Sequence, residues 1–166
     1  GLGGIGYQIA RRCAAFDMSI LYHKRTPLTD NPDNLNLTYV TLDTLLEQSD
    51  FVVTICPLTE ETTGLIGKEE LARMKKSAVL INVARGPVVD TSALTEALQT
   101  GEIYAAGLDV TDPEPLPRDH PLLSMANVTI TPHLGSATMQ TRRKMAEISV
   151  ENLLLGLDGQ ALLHSV

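Results

Sequence analysis

Short apolar runs alternate with amphipathic stretches along almost the whole chain. The runs fall at residues 18–22, 38–40, 51–56, 78–83, 103–110 and 128–131. None shows the strict period-two alternation of a half-solvated strand, so they read as strands buried on both faces. Pro57 ends the third run because proline has no N–H for a sheet ladder, and Gly107 weakens the fifth. Between the runs the spacing turns helical. Ile5, Ile9, Cys13 and Phe16 recur on one side of a first helix, with Arg11 and Arg12 opposite. Thr41 or Asp43 caps a second helix through Leu45, Leu46 and Glu47, and residues 68–75 form a third. A fourth starts at Asp90 or Thr91, aligns Leu94 with Leu98, and stops at Gly101. A long pattern over residues 138–155 carries Met145, Ile148 and Leu153. Strand and helix in this alternation predict βαβ units and a doubly wound α/β fold with a parallel sheet.

In such a sheet, ligands lie outside the carboxyl ends of the strands, near the switch in strand order. The segments after Tyr22, Cys56, Val83 and Val110, and the turn Thr131-Pro132-His133, therefore share one edge. Lys24, Thr59, Arg85, Asp109, Glu114 and His133 converge there from distant parts of the chain. At the start, Gly1-Leu2-Gly3-Gly4-Ile5-Gly6 spells G-x-G-x-x-G and runs into the first helix. Such a turn brings backbone amides and a helix N-terminus to a pyrophosphate. Taken alone it is a weak signal, because the motif requires a preceding strand.

The edge residues suggest proton transfer coupled to anion binding. Arg85 offers a planar fork that matches a carboxylate, although a loop arginine is ordinarily a solvated charge. Histidine donates and accepts protons near neutrality, and His133 alone of the four sits at the end of a strand. Glu114, if it reaches His133, fixes its tautomer and favours the imidazolium. His23, His120 and His164 read as surface or structural. NAD-preferring sites place an acidic residue about 20 positions beyond the glycines. Here His23-Lys24-Arg25-Thr26 has no carboxylate until Asp30, so Lys24 and Arg25 favour the 2′-phosphate of NADPH, with NADH as the alternative.

Composition narrows the classes. The chain has 166 residues, 43% hydrophobic and 20% charged, enough for one domain core. A net charge of -7 and 4% aromatic residues without Trp argue against a nucleic-acid partner. Cys13 and Cys56, the two cysteines, read as buried thiols rather than a disulfide or a metal site. No stretch reads as a membrane span or targeting signal, so a cytoplasmic protein without a membrane partner is expected.

Several ordered motifs then resemble one family. SDFVVTICPLTEETTGLI (residues 49–66) and MKKSAVLINVARGPVVDTSAL (74–94) resemble signatures of the D-isomer-specific 2-hydroxyacid dehydrogenases. GLDV (107–110), DPEPL (112–116) and PHLGSAT (132–138) follow in family order, and together they cover nearly the whole chain. Within the family, GLDVTDPEPLPRDHPLL and TPHLGSAT are most similar to the members acting on glyoxylate and hydroxypyruvate. The resemblance implies a nicotinamide-dependent oxidoreductase for a small 2-oxo acid, working as a homodimer at full length. Arg85 corresponds to its substrate-binding arginine, Glu114 to the carboxylate supporting the acid, and His133 to the general acid–base. Gly1, Gly3, Ile5 and Gly6 match the pyrophosphate turn, and Pro57 and Thr59 the loop beside the cofactor. Val83 and Ala84 precede the arginine on the cofactor side, Asp109 lies near the nicotinamide carboxamide, and Gly135 and Ser136 follow the histidine.

The resemblance also implies parts that this sequence does not contain. The expected division is an NAD(P)-binding domain at residues 1–138 and a segment, 139–166, returning to a substrate domain. The strand that feeds Gly1, central in the order 3-2-1-4-5-6, is expected to be missing, and little catalysis is expected of residues 1–166 alone. Two other readings stay open: a relative acting on phosphoglycerate or a bulkier 2-oxo acid, and a nucleotide-sensing corepressor-like module sharing the Arg–Glu–His set.

Overall fold

Six short parallel strands and five helices carry the chain in a computed structural model that describes residues 1–163. The elements run α1 (Gly4–Ala14), β1 (Ile20–Tyr22), β2 (Leu37–Tyr39), α2 (Leu42–Gln48), β3 (Phe51–Thr54), α3 (Lys68–Arg73), β4 (Val79–Asn82), α4 (Thr91–Thr100), β5 (Ala105–Leu108), β6 (Val128–Ile130) and α5 (Met139–Leu157). Short 3₁₀ turns at Gly86–Val88 and Pro121–Leu123 interrupt the loops. The chain divides into two units, Gly1–Pro132 and a second from His133 onward. His164 lies outside the described residues.

In the first unit β3, β4, β5 and β6 pair in that order, all parallel, with Phe51 opposite Val79 and Asn82 opposite Leu108. β1 and β2 form a separate parallel pair, Ile20 opposite Leu37. A cavity of about 460 Å³ lies between the two sheets, lined by Ile20 and Tyr22 on one side, Phe51 and Val53 on the other, and Gly6 and Ala10 of α1. In the order 3-2-1-4-5-6 that is the place of the central strand, and no strand among the described residues occupies it. The main core covers the four-stranded sheet with Leu46 of α2, Leu71 of α3, Leu94 and Leu98 of α4, and Leu80 of β4. A smaller cluster joins Leu2, Ala10 and Tyr22.

The helix ends follow the capping chemistry of the sequence. Thr41, not Asp43, caps α2, its Oγ1 accepting from the Thr44 amide at 3.2 Å. Asp90 caps α4 by accepting from the amides of Ser92 and Ala93, both at 2.9 Å. Gly101 closes α4 at φ +70°, in the left-handed region that glycine enters at least cost.

Two expectations need correction. α1 buries Gly6 and Ala10, whereas Ile5 is 68% exposed and Phe16, beyond the helix end, 81% exposed. The cause is close backbone approach: a Cβ on Gly6 would lie 2.7 Å from the Gly1 carbonyl oxygen, so only small residues fit that face. Cys13 and Cys56 are free but half-buried rather than buried. In the second unit α5 has the expected span and, in keeping with an apolar face expected to lack part of its partner, buries none of its residues.

Candidate active site

The loop after β4 is the most heavily fastened part of the sheet edge. Val79-Leu80-Ile81 is apolar, and Asn82 follows at the last strand position, 1% exposed. A primary amide buried so completely must satisfy both its ends. Asn82 Oδ1 accepts from the Thr54 hydroxyl at 2.8 Å and from the Ala84 amide at 3.1 Å. Its Nδ2 donates to the Arg85 carbonyl at 3.0 Å. The main chain of Arg85 is thus held from inside the sheet, while its exposed guanidinium donates through Nη1 to the Ala84 carbonyl at 2.7 Å. Ala84 is buried and Val83 half-buried, with the Val83 amide donating to the Thr54 carbonyl at 3.3 Å.

Gly86 joins this loop to the one after β5. A Cβ there would sit 1.9 Å from the Thr111 carbonyl oxygen, closer than any side chain allows. The Thr91 hydroxyl adds a bond to the Asp112 carbonyl at 2.8 Å. Within the second loop the Thr111 amide donates to Glu114 Oε2 at 3.2 Å and the Thr111 hydroxyl to the Pro113 carbonyl at 2.9 Å. The Glu114 carboxylate, in an exposed residue, is therefore oriented by its own turn. Asp109 is fixed at both ends, its amide donating to the Asn82 carbonyl at 3.0 Å and its Oδ1 accepting from the Thr131 hydroxyl at 2.5 Å.

The glycine turn packs against the end of β3. A Cβ on Gly1 would come within 2.9 Å of the Ile55 carbonyl oxygen, whereas one on Gly3 or Gly4 would meet nothing within 4 Å. Gly3 is the N-cap of α1 and offers no side-chain cap, so the first-turn amides face open space. That is a cradle suited to a diphosphate. Pro57 and Thr59 belong to a turn built by Thr62, whose hydroxyl donates to the Pro57 carbonyl at 2.7 Å and accepts from the Thr59 amide at 2.8 Å. The Thr59 hydroxyl donates to Glu61 Oε2 at 2.6 Å. This bond is the main reason the Glu61 carboxyl titrates below its ordinary 4.5; its own amide contributes next, and the Arg25 charge acts in the same direction. Arg25 belongs to the loop after β1. Lys24 in that loop is half-buried, its carbonyl accepting from the Tyr39 hydroxyl at 3.3 Å.

The first unit therefore links Arg85, Asp109 and Glu114 through named contacts, and packs Gly1 and Gly6 against Ile55 past the end of β3, with Pro57 and Thr59 in the turn that follows. The exposed Ile5 side chain makes no part of these links. His133, Gly135 and Ser136 belong to the second unit. His133 is exposed and has φ +55°, a left-handed conformation uncommon for a residue with a Cβ and often kept at functional positions. His23 and His120 have structural bonds, His23 Nδ1 to the Val40 carbonyl at 2.9 Å and His120 Nδ1 accepting from the Leu122 amide at 3.3 Å. No group of metal-ligating side chains occurs among the described residues. The sequence reading missed Asn82, Thr54 and Thr62. A polar residue ending an apolar strand three positions before an arginine was the available signal for Asn82.

A parallel sheet with a glycine turn, and an arginine and a carboxylate on joined loops at its edge, defines a dinucleotide-binding domain of the dehydrogenase type. The profile for the D-isomer specific 2-hydroxyacid dehydrogenase NAD binding domain matches residues 1–135, and the chain belongs to that family. It is 53% identical over 161 residues to glyoxylate/hydroxypyruvate reductase B of Escherichia coli, covering 96% of this chain and 50% of the relative. The Cronobacter sakazakii protein of the same name is 52% identical over 160 residues, covering 96% and 49%. Among solved structures, the NADPH-dependent glyoxylate/hydroxypyruvate reductase of Sinorhizobium meliloti, in complex with NADP and malonate, superposes with a TM-score of 0.92. The two are 42% identical over 100% of this chain and 51% of that one. The chain spans about half the length of the relatives it matches.

Proposed function

We propose that this chain is the nucleotide-binding part of an NADPH-dependent reductase that converts glyoxylate or hydroxypyruvate to the 2-hydroxy acid. The observation that carries the reading is the Arg85 loop, whose main chain is locked by Asn82 and Gly86 while its guanidinium stays exposed at the carboxyl end of β4. A fixed fork of this kind holds a substrate carboxylate in one orientation. The bound dinucleotide supplies the hydride to the carbonyl carbon. By the family resemblance His133 takes the role of the acid that gives its proton to the carbonyl oxygen, and Glu114 that of the carboxylate supporting the acid. The alcohol keeps that proton, and His133 takes another from solvent before the next turnover. Gly1, Gly3 and Gly6 hold the diphosphate, flanked by Ile5, Pro57 and Thr59. Val83, Ala84, Asp109, Gly135 and Ser136 border the nicotinamide. The intact enzyme works as a homodimer, as the family resemblance implies, and in the cytoplasm. No helix of the described residues is long and apolar enough to cross a membrane.

Lys24 and Arg25 select the 2′-phosphate, since their loop carries cations and no carboxylate where an NAD site places one. Steady-state kinetics of Arg25→Ala in the intact enzyme tests the cofactor assignment. Loss of a charge-assisted bond of about 1.5–3 kcal/mol raises KM for NADPH roughly 10- to 100-fold, and leaves KM for NADH nearly unchanged. Equal losses for the two cofactors refute the assignment. Absence of 2-oxo acid turnover in the intact protein, with cofactor-dependent binding of another protein instead, refutes the enzymatic reading.

A further inference from the structure

We infer that Asn82 and Thr54 form a buried positioning device that sets the direction of Arg85, and so determines how tightly the substrate carboxylate is held. The inference rests on Arg85 being the substrate-binding arginine. Thr54 closes β3 and Asn82 closes β4, and the two are adjacent because Thr54 is the register partner of Asn82. Both are buried polar residues, the two such side chains in the first unit's core. Every polar atom of the pair is engaged. The Thr54 hydroxyl donates to Asn82 Oδ1 at 2.8 Å, and its oxygen also lies 3.3 Å from the Ile81 carbonyl. The Ala84 N–H can only donate and the Arg85 carbonyl can only accept, so these two main-chain groups fix which way the amide points, and the Thr54 hydroxyl adds its bond to the oxygen end.

With the amide so oriented, Oδ1 receives the Ala84 amide at 3.1 Å and Nδ2 reaches the Arg85 carbonyl at 3.0 Å. The two bonds grip the peptide group before Ala84 and the one after Arg85, so they bracket these two residues from both ends. A two-residue segment pinned at both ends, with the buried Ala84 inside it, has little freedom to turn the Arg85 Cβ. The Nη1 bond to the Ala84 carbonyl at 2.7 Å restricts the side chain as well, and that carbonyl lies in the peptide between the two pinned ones. Neither Asn82 nor Thr54 is exposed, so neither touches substrate; they act through Arg85.

The device predicts a division of kinetic effects that plain destabilisation does not give. In the intact enzyme Thr54→Val keeps the shape of the side chain and removes the hydroxyl. One lost bond of this kind corresponds to about a tenfold change in an equilibrium. KM for glyoxylate is therefore expected to rise about tenfold, KM for NADPH to stay within about twofold, and Thr54→Ser to restore the parent value. In an Arg85→Ala background, Thr54→Val is expected to raise KM less than about twofold further, since the arginine it positions is gone. Hydrogen exchange gives a readout without turnover: the Ala84 amide is expected to exchange about tenfold faster in Thr54→Val, and faster again in Asn82→Ala if that variant folds.

Equal increases in both KM values, full additivity with Arg85→Ala, or an unchanged Ala84 exchange rate overturn the inference. If Arg85→Ala itself leaves KM for glyoxylate unchanged, the substrate-binding reading of Arg85 fails first. If Arg85→Ala raises KM strongly but Thr54→Val does not, the positioning device fails alone.

Discussion

Replacing Gly86 by alanine isolates the contact that joins the Arg85 loop to the loop carrying Asp109 and Glu114. The added Cβ would start 1.9 Å from the Thr111 carbonyl oxygen, 2.3 Å from its carbon and 2.8 Å from the Asp112 amide nitrogen. Ordinary contact begins near 3.4 Å, so the carbonyl must retreat by about 1.5 Å. A flexible side chain could rotate away, but here three backbone atoms stand in the way. They are tied down by the Thr91 hydroxyl on Asp112 and by the turn bonds of Thr111. Overpacking costs typically about 1–3 kcal/mol, and a backbone obstacle places this substitution at the upper end. For a chain of this size about 2–3 kcal/mol corresponds to a melting temperature lowered by roughly 5–10 °C. Gly107→Ala is the matched control, because its Cβ would meet only Ile81 Cγ1 at 3.8 Å, an ordinary contact. That variant is expected to be neutral or more stable by up to about 1 kcal/mol through the restricted unfolded chain. Denaturant unfolding of both variants gives the comparison. A Gly86→Ala protein within about 0.5 kcal/mol of the parent, or a Gly107→Ala protein destabilised as much, refutes the close-approach argument.

Asp90→Ala removes the acceptor of two amide bonds at the start of α4 and is expected to cost about 1 kcal/mol, read by the same unfolding experiment. No change would mean that water replaces the cap without loss. The Glu61 carboxyl is expected to titrate below 4.5 in an NMR pH series, and Thr59→Val to move it back up, since the Thr59 hydroxyl is the largest cause of the shift. The folded chain favours the carboxylate, so this small stabilisation is present above 4.5 and is lost as pH falls through the lowered folded value. A midpoint unchanged by Thr59→Val would overturn the assignment of cause.

The fold class was legible because buried strands and amphipathic helices alternate, and because cap residues such as Thr41, Asp90 and Gly101 act locally. Chain ends of elements were less legible. The run at 51–56 pairs only over Phe51–Thr54, and the run at 103–110 only over Ala105–Leu108, because hydropathy continues past the last ladder bond. The face of α1 was misread for a different reason. Apolar spacing marks Ile5 and Phe16, but the contact that decides the face is the close approach of the Gly1 backbone at Gly6, on the side where Ala10 is also buried.

For the site, the residue types alone determined which chemistry is available: a glycine turn, a fork-shaped cation, a carboxylate and a histidine at the ends of strands. Their order along the chain was enough to mark the family, since several motifs in sequence constrain each other. What only the tertiary structure decided is how the arginine is held. Thr54 and Asn82 lie 28 positions apart and become neighbours solely through the register of β3 and β4. Gly86 has a reason to be glycine only because the Thr111 carbonyl arrives from the loop after β5. A sequence records which groups exist, but a hydrogen bond or a forbidden Cβ depends on distances of a few tenths of an ångström between segments that only folding brings together.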